Sequence, residues 1–195
     1  DGKRDGLYSS WYENGQKKAE GKMKDGKLMS AEVWKPNGEK CPVTDVKDGN
    51  GVCVSYNRHG QKEVQENYKD GKRDGLYSSW YENGQKKYEI NYKDGKLDGL
   101  LTHWHENGQK RGEGTYTDGK LTDGFRTSWY ENGKKKEEIN SKDGKRDGIA
   151  IYYNEDGTEW YRRTYKDGEP FEEERSSKEE LEELLVKPFP LASPI

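Results

Sequence analysis

The chain has 195 residues, of which 28% are hydrophobic and 37% are charged, and its formal net charge at pH 7 is −3. This apolar share is too low for a typical globular domain with one large core, while an aromatic share of 12% is too high for a typical disordered chain. Segment 169–195 holds eight glutamates and three basic residues, which leaves residues 1–168 at +2. Lys and Glu are interleaved there, so no basic stripe indicates nucleic-acid binding.

Asp-Gly pairs divide residues 1–168 into seven units of 22 to 25 residues. Self-similarity at this period predicts stacked supersecondary units, each of which needs its neighbours to bury its apolar face. We number the units from one to seven in chain order. They start at Asp1, Asp25, Asp48, Asp70, Asp94, Asp118 and Asp143, and Asp167 opens one further turn.

Each unit contains two runs rich in aromatic and β-branched residues, separated by a glycine turn, which is the pattern of a β-hairpin. We call the turn inside each hairpin the inner turn and the Asp-Gly turn between hairpins the outer turn. An Asn, His or Asp precedes every inner-turn glycine, and these residue types favour tight turns. The inner-turn glycines are Gly15, Gly38, Gly60, Gly84, Gly108, Gly133 and Gly157.

Two inner-turn geometries give two strand registers. A two-residue turn would place Leu76 opposite Asn91, whereas a three-residue loop with a bulged, left-handed Gly84 places Leu76 opposite Ile90. Pro36 in the second unit favours the three-residue loop, because a type I turn accepts proline at its second position. We therefore predict one apolar face that carries Leu76, Trp80, Tyr88, Ile90 and Tyr92. Its equivalents are Leu7 and Trp11, Leu100 and Trp104, Phe125 and Trp129, and Ile149 and Tyr153.

The predicted fold is all-β: an elongated, single-layer, twisted antiparallel sheet of about seven stacked hairpins, with about fourteen strands. Residues 169–195 form an acidic tail in which a capping-box pattern and a leucine stripe predict a short helix over about 176–186. That helix would cap the last hairpin. The segment after it is predicted to be extended or disordered.

The motifs YENGQKK, NYKDGKLDGL and YKDGKRDG resemble the MORN-repeat superfamily, in the bacterial variant form found in YwqK-type toxin–antitoxin antitoxins. The resemblance covers residues 1–168. Units two and three depart from it, because 25–47 lacks the second Asp-Gly of the outer turn and 48–69 has Tyr56 where the other units have Trp. The resemblance implies a non-enzymatic interaction module. Its location is left open between the bacterial cytoplasm and the cell envelope or exterior, with a lean to the latter.

No set of side chains indicates catalysis or a cofactor. The acidic stretch DVKDGNG could suggest calcium, but Asp-Gly is what a tight turn requires, and no EF-hand glutamate follows. His103 and His105 lie on the same side of one strand at a spacing that could hold Zn²⁺, yet a third ligand is missing. We therefore predict no catalytic, metal or cofactor site. No apolar run approaches the ~18 residues that a membrane span needs.

The face opposite the predicted apolar stripe is rich in aromatic residues, which are enriched at protein interfaces. One hypothesis is a scaffold that binds and occludes a protein partner, as an antitoxin or immunity protein would. The alternatives are a module that binds carbohydrate or choline, a passive surface spacer, and, for the rings, cross-strand packing alone. The candidate binding residues are Tyr8, Tyr12, Tyr77, Tyr81, His103, His105 and Tyr130.

Two further expectations concern covalent and homotypic contacts. Cys41 and Cys53 are compatible with one disulfide or with two reduced thiols, and the sequence slightly favours the disulfide. The open edge of the first hairpin predicts edge-to-edge pairing of two copies of the chain.

Overall fold

A computed structural model describes residues 2–171, which form eighteen β-strands in one open antiparallel sheet. This confirms the predicted all-β hairpin array. The predicted helix at 176–186 lies outside the described residues. The strands are β1 (Gly6–Trp11), β2 (Lys17–Lys24), β3 (Lys27–Val33), β4 (Asp45–Lys47), β5 (Asn50–Tyr56), β6 (Lys62–Lys69), β7 (Lys72–Arg73), β8 (Gly75–Trp80), β9 (Lys86–Lys93), β10 (Lys96–Leu97), β11 (Gly99–Trp104), β12 (Lys110–Thr117), β13 (Lys120–Leu121), β14 (Gly124–Trp129), β15 (Lys135–Lys142), β16 (Lys145–Tyr153), β17 (Glu159–Lys166) and β18 (Glu169–Phe171).

The strands pair with their neighbours in chain order. Each hairpin pairs internally, as β8 does with β9, and its second strand then pairs with the first strand of the next hairpin, as β9 does with β11. Four short strands, β7, β10, β13 and β18, extend the outer turns and account for the excess over the fourteen predicted strands. No helix long and apolar enough to cross a membrane occurs among residues 2–171.

The inner turn has the predicted three-residue loop. In the fourth unit, the amide of Gly84 donates to the carbonyl of Tyr81 at 2.9 Å, and the amide of Tyr81 donates to the carbonyl of Gln85 at 2.9 Å. Gly84 has a φ of 81°, in the region where an L side chain is strained. Asn83 closes the loop, because its Oδ1 accepts the amide of Gln85. The choice of an Asn-Gly turn therefore follows from its backbone requirements.

The predicted register of the strands is wrong. Leu76 lies opposite Asn91 and Tyr77 lies opposite Ile90, because a second bulge between Ser79 and Trp80 cancels the one-residue offset of the loop. The same shift recurs in five other hairpins, for example between His103 and Trp104. A one-residue shift exchanges the faces of a strand. The predicted stripe of Leu76, Trp80, Tyr88, Ile90 and Tyr92 is therefore split between the two faces.

We name the two faces from the fourth unit. The tyrosine face carries Tyr77, Ser79, Tyr88 and Ile90, and the tryptophan face carries Leu76, Ser78, Trp80 and Glu89. Leu76 is 39% exposed, whereas Ile90 is 3% exposed.

The outer turns stack on one another along one side of the sheet. Each opens with a left-handed aspartate, from Asp25 to Asp167, with φ between 50° and 55°. The amide of Asp94 donates to the carboxylate of Asp74, and the amide of Gly95 donates to the carbonyl of Arg73, one turn earlier. An aspartate at the first position of the turn tolerates the left-handed conformation, and an aspartate at the fifth position accepts the amide of the next turn. These two requirements explain why both aspartates recur.

Most of the buried apolar side chains lie in units two and three. Two small clusters form there, one around Val33, Cys41, Val54 and Tyr56 and the other around Leu28, Ala31 and Val46. In units four to seven the buried apolar side chains are Ile90, Ile139 and Ala150. The units that depart from the repeat pattern thus hold the core.

Candidate interaction surfaces

The tyrosine face is tied together by side chains that reach from one unit to the next. The hydroxyl of Tyr81 donates to the carbonyl of Trp104 at 2.7 Å, and the hydroxyl of Tyr130 donates to the carbonyl of Tyr153 at 2.8 Å. Tyr12 makes the same bond to Trp34, and it is buried. These residues were predicted to bind a partner. In the structure, their hydroxyl groups donate to backbone carbonyls of the next unit.

His105 occupies the same place in the fifth unit. Its Nε2 lies 3.0 Å from the carbonyl oxygen of Trp129, so an imidazole replaces a phenol within hydrogen-bond distance of the same backbone position. The carboxylate of Glu131 lies 3.9 Å from its Nδ1. The hydrogen bond to the carbonyl requires a proton on Nε2.

Tyr77 and Tyr8 lie half-buried on the same face. The ring of Tyr77 meets the ring of Tyr92 edge-on at 6.0 Å, and the guanidinium of Arg73 lies 5.6 Å from both rings. Arg73 also bonds to Glu66 at 2.9 Å. Burial raises the pKa of Tyr77 and of Tyr8, which packs against the Leu28 cluster.

His103 is stacked on Tyr88, with ring centroids 4.1 Å apart. Burial lowers its pKa to about 4, and the nearby charges of Arg111, His105 and Lys87 act in the same direction. His103 is therefore neutral at pH 7. Among residues 2–171, no group of three His, Cys, Asp or Glu side chains is arranged to hold a metal ion.

The tryptophan face carries a ladder of lysines over indole rings, which the sequence reasoning missed. Lys86 Nζ lies 5.6 Å from the ring of Trp104, and Lys110 Nζ lies 5.5 Å from the ring of Trp129. Each of these lysines also bonds to the glutamate three residues later, for example Lys110 to Glu113 at 2.8 Å. The recurring pattern Lys-x-x-Glu after the inner turn was the signal. Because each of these lysines is paired with a glutamate, the paired side chains add no net charge to the tryptophan face.

A row of exposed apolar side chains runs along the same face, near the outer turns. We call Leu7, Leu76, Leu100, Phe125 and Ile149 the leucine row, because each directly follows the second glycine of its outer turn. Leu7 is 87% exposed, Leu100 52% and Phe125 65%. The sequence placed them in a buried stripe, and the second bulge turns them to the solvent instead.

The two cysteines are free thiols in different surroundings. Burial raises the pKa of Cys41, but hydrogen bonds from Thr44, Tyr56 and the local backbone outweigh burial and bring it below the ordinary value. Burial raises the pKa of Cys53 to about 11. The disulfide that the sequence slightly favoured is not formed in this structure.

Comparison with known families finds a match in four of the seven units. Four segments match the family model described as a MORN repeat variant, at residues 4–25, 73–94, 97–118 and 123–143. No curated protein matches the chain significantly. The segments between 26 and 72, which hold most of the buried core, lie outside the matched residues.

Proposed function

Because the chain carries MORN-type repeats, which typically serve in protein or membrane interaction, we propose that it is a non-catalytic scaffold that binds a protein partner. One observation supports this most: the leucine row presents one exposed apolar side chain per unit in five of the seven units. Single exposed leucines are ordinary, whereas an ordered row of them marks an interaction site.

The row has the physical properties of a docking surface. Fully burying an exposed side chain of this size contributes about 1.5–3 kcal/mol of hydrophobic free energy. The gain is smaller for Leu76 and Ile149, which are already more than half covered. The backbone beneath it is fixed by strand pairing and by the inter-unit hydrogen bonds of Tyr81 and Tyr130. A partner therefore meets a surface that is already ordered, which lowers the entropic cost of binding.

The spacing of the row supports a helical segment as the part of the partner that binds it. Equivalent residues of consecutive hairpins are two strands apart, or about 9.6 Å at the usual strand separation. An α-helix rises about 10.5 Å over seven residues. An amphipathic helix with an apolar residue at every heptad therefore matches the row when it lies across the strands. We expect such a helix in the partner.

The first test removes the row and leaves the fold. The native chain and a Leu76→Ser/Leu100→Ser/Phe125→Ser variant are used as baits for extracts of the source cells, and bound proteins are quantified by mass spectrometry. Tyr81→Phe, which alters the opposite face, is the matched control. We expect one protein to be lost with the row variant and retained with Tyr81→Phe. Equal capture by all three baits, with circular dichroism unchanged, would contradict the proposal.

Within this proposal, the specific role is that of an antitoxin or immunity protein that occludes its partner. Co-expression is the direct test: the partner should arrest growth when expressed alone, and the native chain should restore growth where the row variant does not. A partner that does not arrest growth when expressed alone would contradict the antitoxin role. The proposal of a protein-binding scaffold would still stand.

The alternative is recognition of carbohydrate or choline through aromatic rings. It is supported by Trp11 and Trp160, whose indoles are both exposed and available for stacking. Retention on polysaccharide or choline resin, lost with Trp11→Ala/Trp160→Ala, would favour it. Clean flow-through of the native chain would contradict it, and a chain that binds neither protein nor these ligands would be a spacer.

A homotypic contact is also proposed at β1. This strand has the sequence GLYSSW, identical to β8, and β8 pairs with strands on both of its sides, whereas β1 pairs with β2 alone among the described strands. A second copy could pair along the remaining edge. Light scattering during size-exclusion chromatography should show a mass that rises with concentration. A monomer at every concentration would contradict this contact.

A further inference from the structure

Strand β12 in the fifth unit lacks two side chains that its neighbours have. Gly112 and Gly114 occupy the slots held by Tyr88 and Ile90 in the fourth unit, and by Glu137 and Ile139 in the sixth. The usual reasons for glycine do not apply to Gly112. Its φ is not positive, and an added Cβ would meet only the carbonyl oxygen of Thr127, at an ordinary 3.7 Å.

Another strand glycine shows the contrast. A Cβ on Gly21 would lie 2.2 Å from the carbonyl oxygen of Ser30, so close packing of the backbone excludes any larger residue there. Nothing comparable excludes one at Gly112. The missing side chain therefore leaves an open depression on the tyrosine face.

The depression has one aromatic wall and one polar wall. The Tyr88–His103 stack lies on the side of the fourth unit, and Arg126 lies on the side of the sixth, where it pairs with Glu137 at 3.5 Å. Its volume is about 260 Å³. It adjoins a larger groove of about 720 Å³, and His103 and Arg111 line both. Together they form one trough across units four to six.

Two cations at the centre of the trough lack acidic partners. Within residues 2–171, neither Lys87 nor Arg111 has a carboxylate within 4.0 Å. In the first unit, the equivalent Lys18 pairs with Glu63 at 3.4 Å. Lys87 Nζ instead lies 5.3 Å from the ring of Tyr81. Glu106 and Glu131, both exposed, also line the larger groove.

We propose that this trough binds a small aromatic carboxylate. Its carboxylate lies between Lys87 and Arg111, and its ring lies against the Tyr88–His103 stack in the space above Gly112. Charge-assisted hydrogen bonds to two cations fix the anionic end, and the flat wall selects a planar body. The site is on the face opposite the leucine row, so it is separate from the proposed protein-binding surface.

The test uses benzoate and indole-3-carboxylate as probes, titrated into the native chain and followed by NMR shifts of the Gly112 and Gly114 amides. Saturable binding in the millimolar range or tighter is expected, with neutral benzamide binding at least tenfold more weakly. Absence of saturation with both carboxylates up to 10 mM would overturn the proposal, as would equal binding of benzamide.

A pair of variants tests the position of the site. Gly112→Tyr places the residue of the fourth unit into the depression and should weaken binding at least tenfold, without lowering the thermal midpoint. Thr115→Tyr adds the same side chain to the exposed opposite face of β12 and should leave binding unchanged. Arg111→Gln should weaken binding about tenfold. Unaltered affinity in Gly112→Tyr, or an equal loss in Thr115→Tyr, would place the ligand elsewhere.

Discussion

Units two and three and units four to seven use the same hairpin for different purposes. Residues 25–69 bury Leu28, Val33, Val46 and Val54 in two clusters. Residues 70–168 bury few apolar side chains and repeat the same turns and strand positions, with substitutions at several surface positions. In such an array each unit is stabilised by its neighbours, so a few units with buried apolar clusters can stabilise adjacent units that bury little apolar surface. The irregular units therefore supply stability, and the regular units supply a repeated surface.

The largest expected difference comes from placing a charge in each region. Val54→Asp puts a carboxylate into a fully buried site, and we expect it to cost at least about 2–7 kcal/mol, the range for an uncompensated polar group. Leu100→Asp, at a half-exposed site of the leucine row, should cost far less. Urea unfolding followed by circular dichroism measures both. Similar midpoints would show that the core does not lie in units two and three.

Two outer-turn glycines give a matched pair. Gly71 and Gly144 both have a φ of 76°, so Ala at either position costs about 1–2 kcal/mol of backbone strain. At Gly71 the added Cβ would also lie 2.5 Å from the Cβ of Lys27, whereas at Gly144 it meets nothing within 4 Å. Gly71→Ala should therefore be more destabilising, by about a further 1–3 kcal/mol. Equal losses in urea unfolding would contradict the tight packing of this outer turn of unit four against Lys27 of unit two.

The inter-unit bonds of the regular region should each contribute a small amount. Tyr81→Phe removes the hydroxyl that bonds to Trp104 and should cost about 0.5–1.5 kcal/mol. Tyr81→His should recover part of this loss, because His105 makes the equivalent contact one unit later. Differential scanning calorimetry resolves the two variants. If Tyr81→His were less stable than Tyr81→Phe, the hydrogen bond to the carbonyl of Trp104 would not be what stabilises this position.

A further expected effect is the pH dependence due to His103. Its pKa is about 4 in the folded chain and near 6.5 when unperturbed, so the unfolded chain takes up a proton first as the pH falls. The contribution of neutral His103 to the free energy of unfolding is fully present above pH 6.5 and is lost as the pH falls through 4. His103→Ser, which copies Ser79, should flatten this part of the stability curve. NMR titration of the ring protons checks the pKa directly, and a midpoint near 6.5 would contradict the burial.

The hairpin period and the turn chemistry could be read from the sequence because Gly, Asn and Asp are selected there by backbone angles. The three-residue inner loop followed from Pro36. The second bulge could not be read, since it falls at Lys86 and Lys87, whose side chains require no special backbone. That single omission exchanged the faces, so the leucine row was assigned to the core. The apolar character of Val52, Cys53 and Val54 was the available signal for the actual core.

The candidate site was harder to predict for the same reason. Tyr81 and Tyr130 were recognised as one repeated slot, but their bonds to the next unit depend on which carbonyl lies beneath them. The depression at Gly112 depends on an absent side chain. It becomes visible only when Gly112 is compared with Tyr88 and Glu137, the residues at the same position in units four and six, and the observed register shows which face they occupy.

Site-specific photocrosslinking in the source cells distinguishes the two faces as docking surfaces. A benzophenone amino acid is placed at position 100 or 125 of the leucine row, or at position 77 of the tyrosine face. Docking on the leucine row predicts that one partner protein crosslinks from positions 100 and 125 and not from position 77. A partner that crosslinks from position 77 alone would show that binding uses the tyrosine face, and would contradict the leucine row as the docking surface.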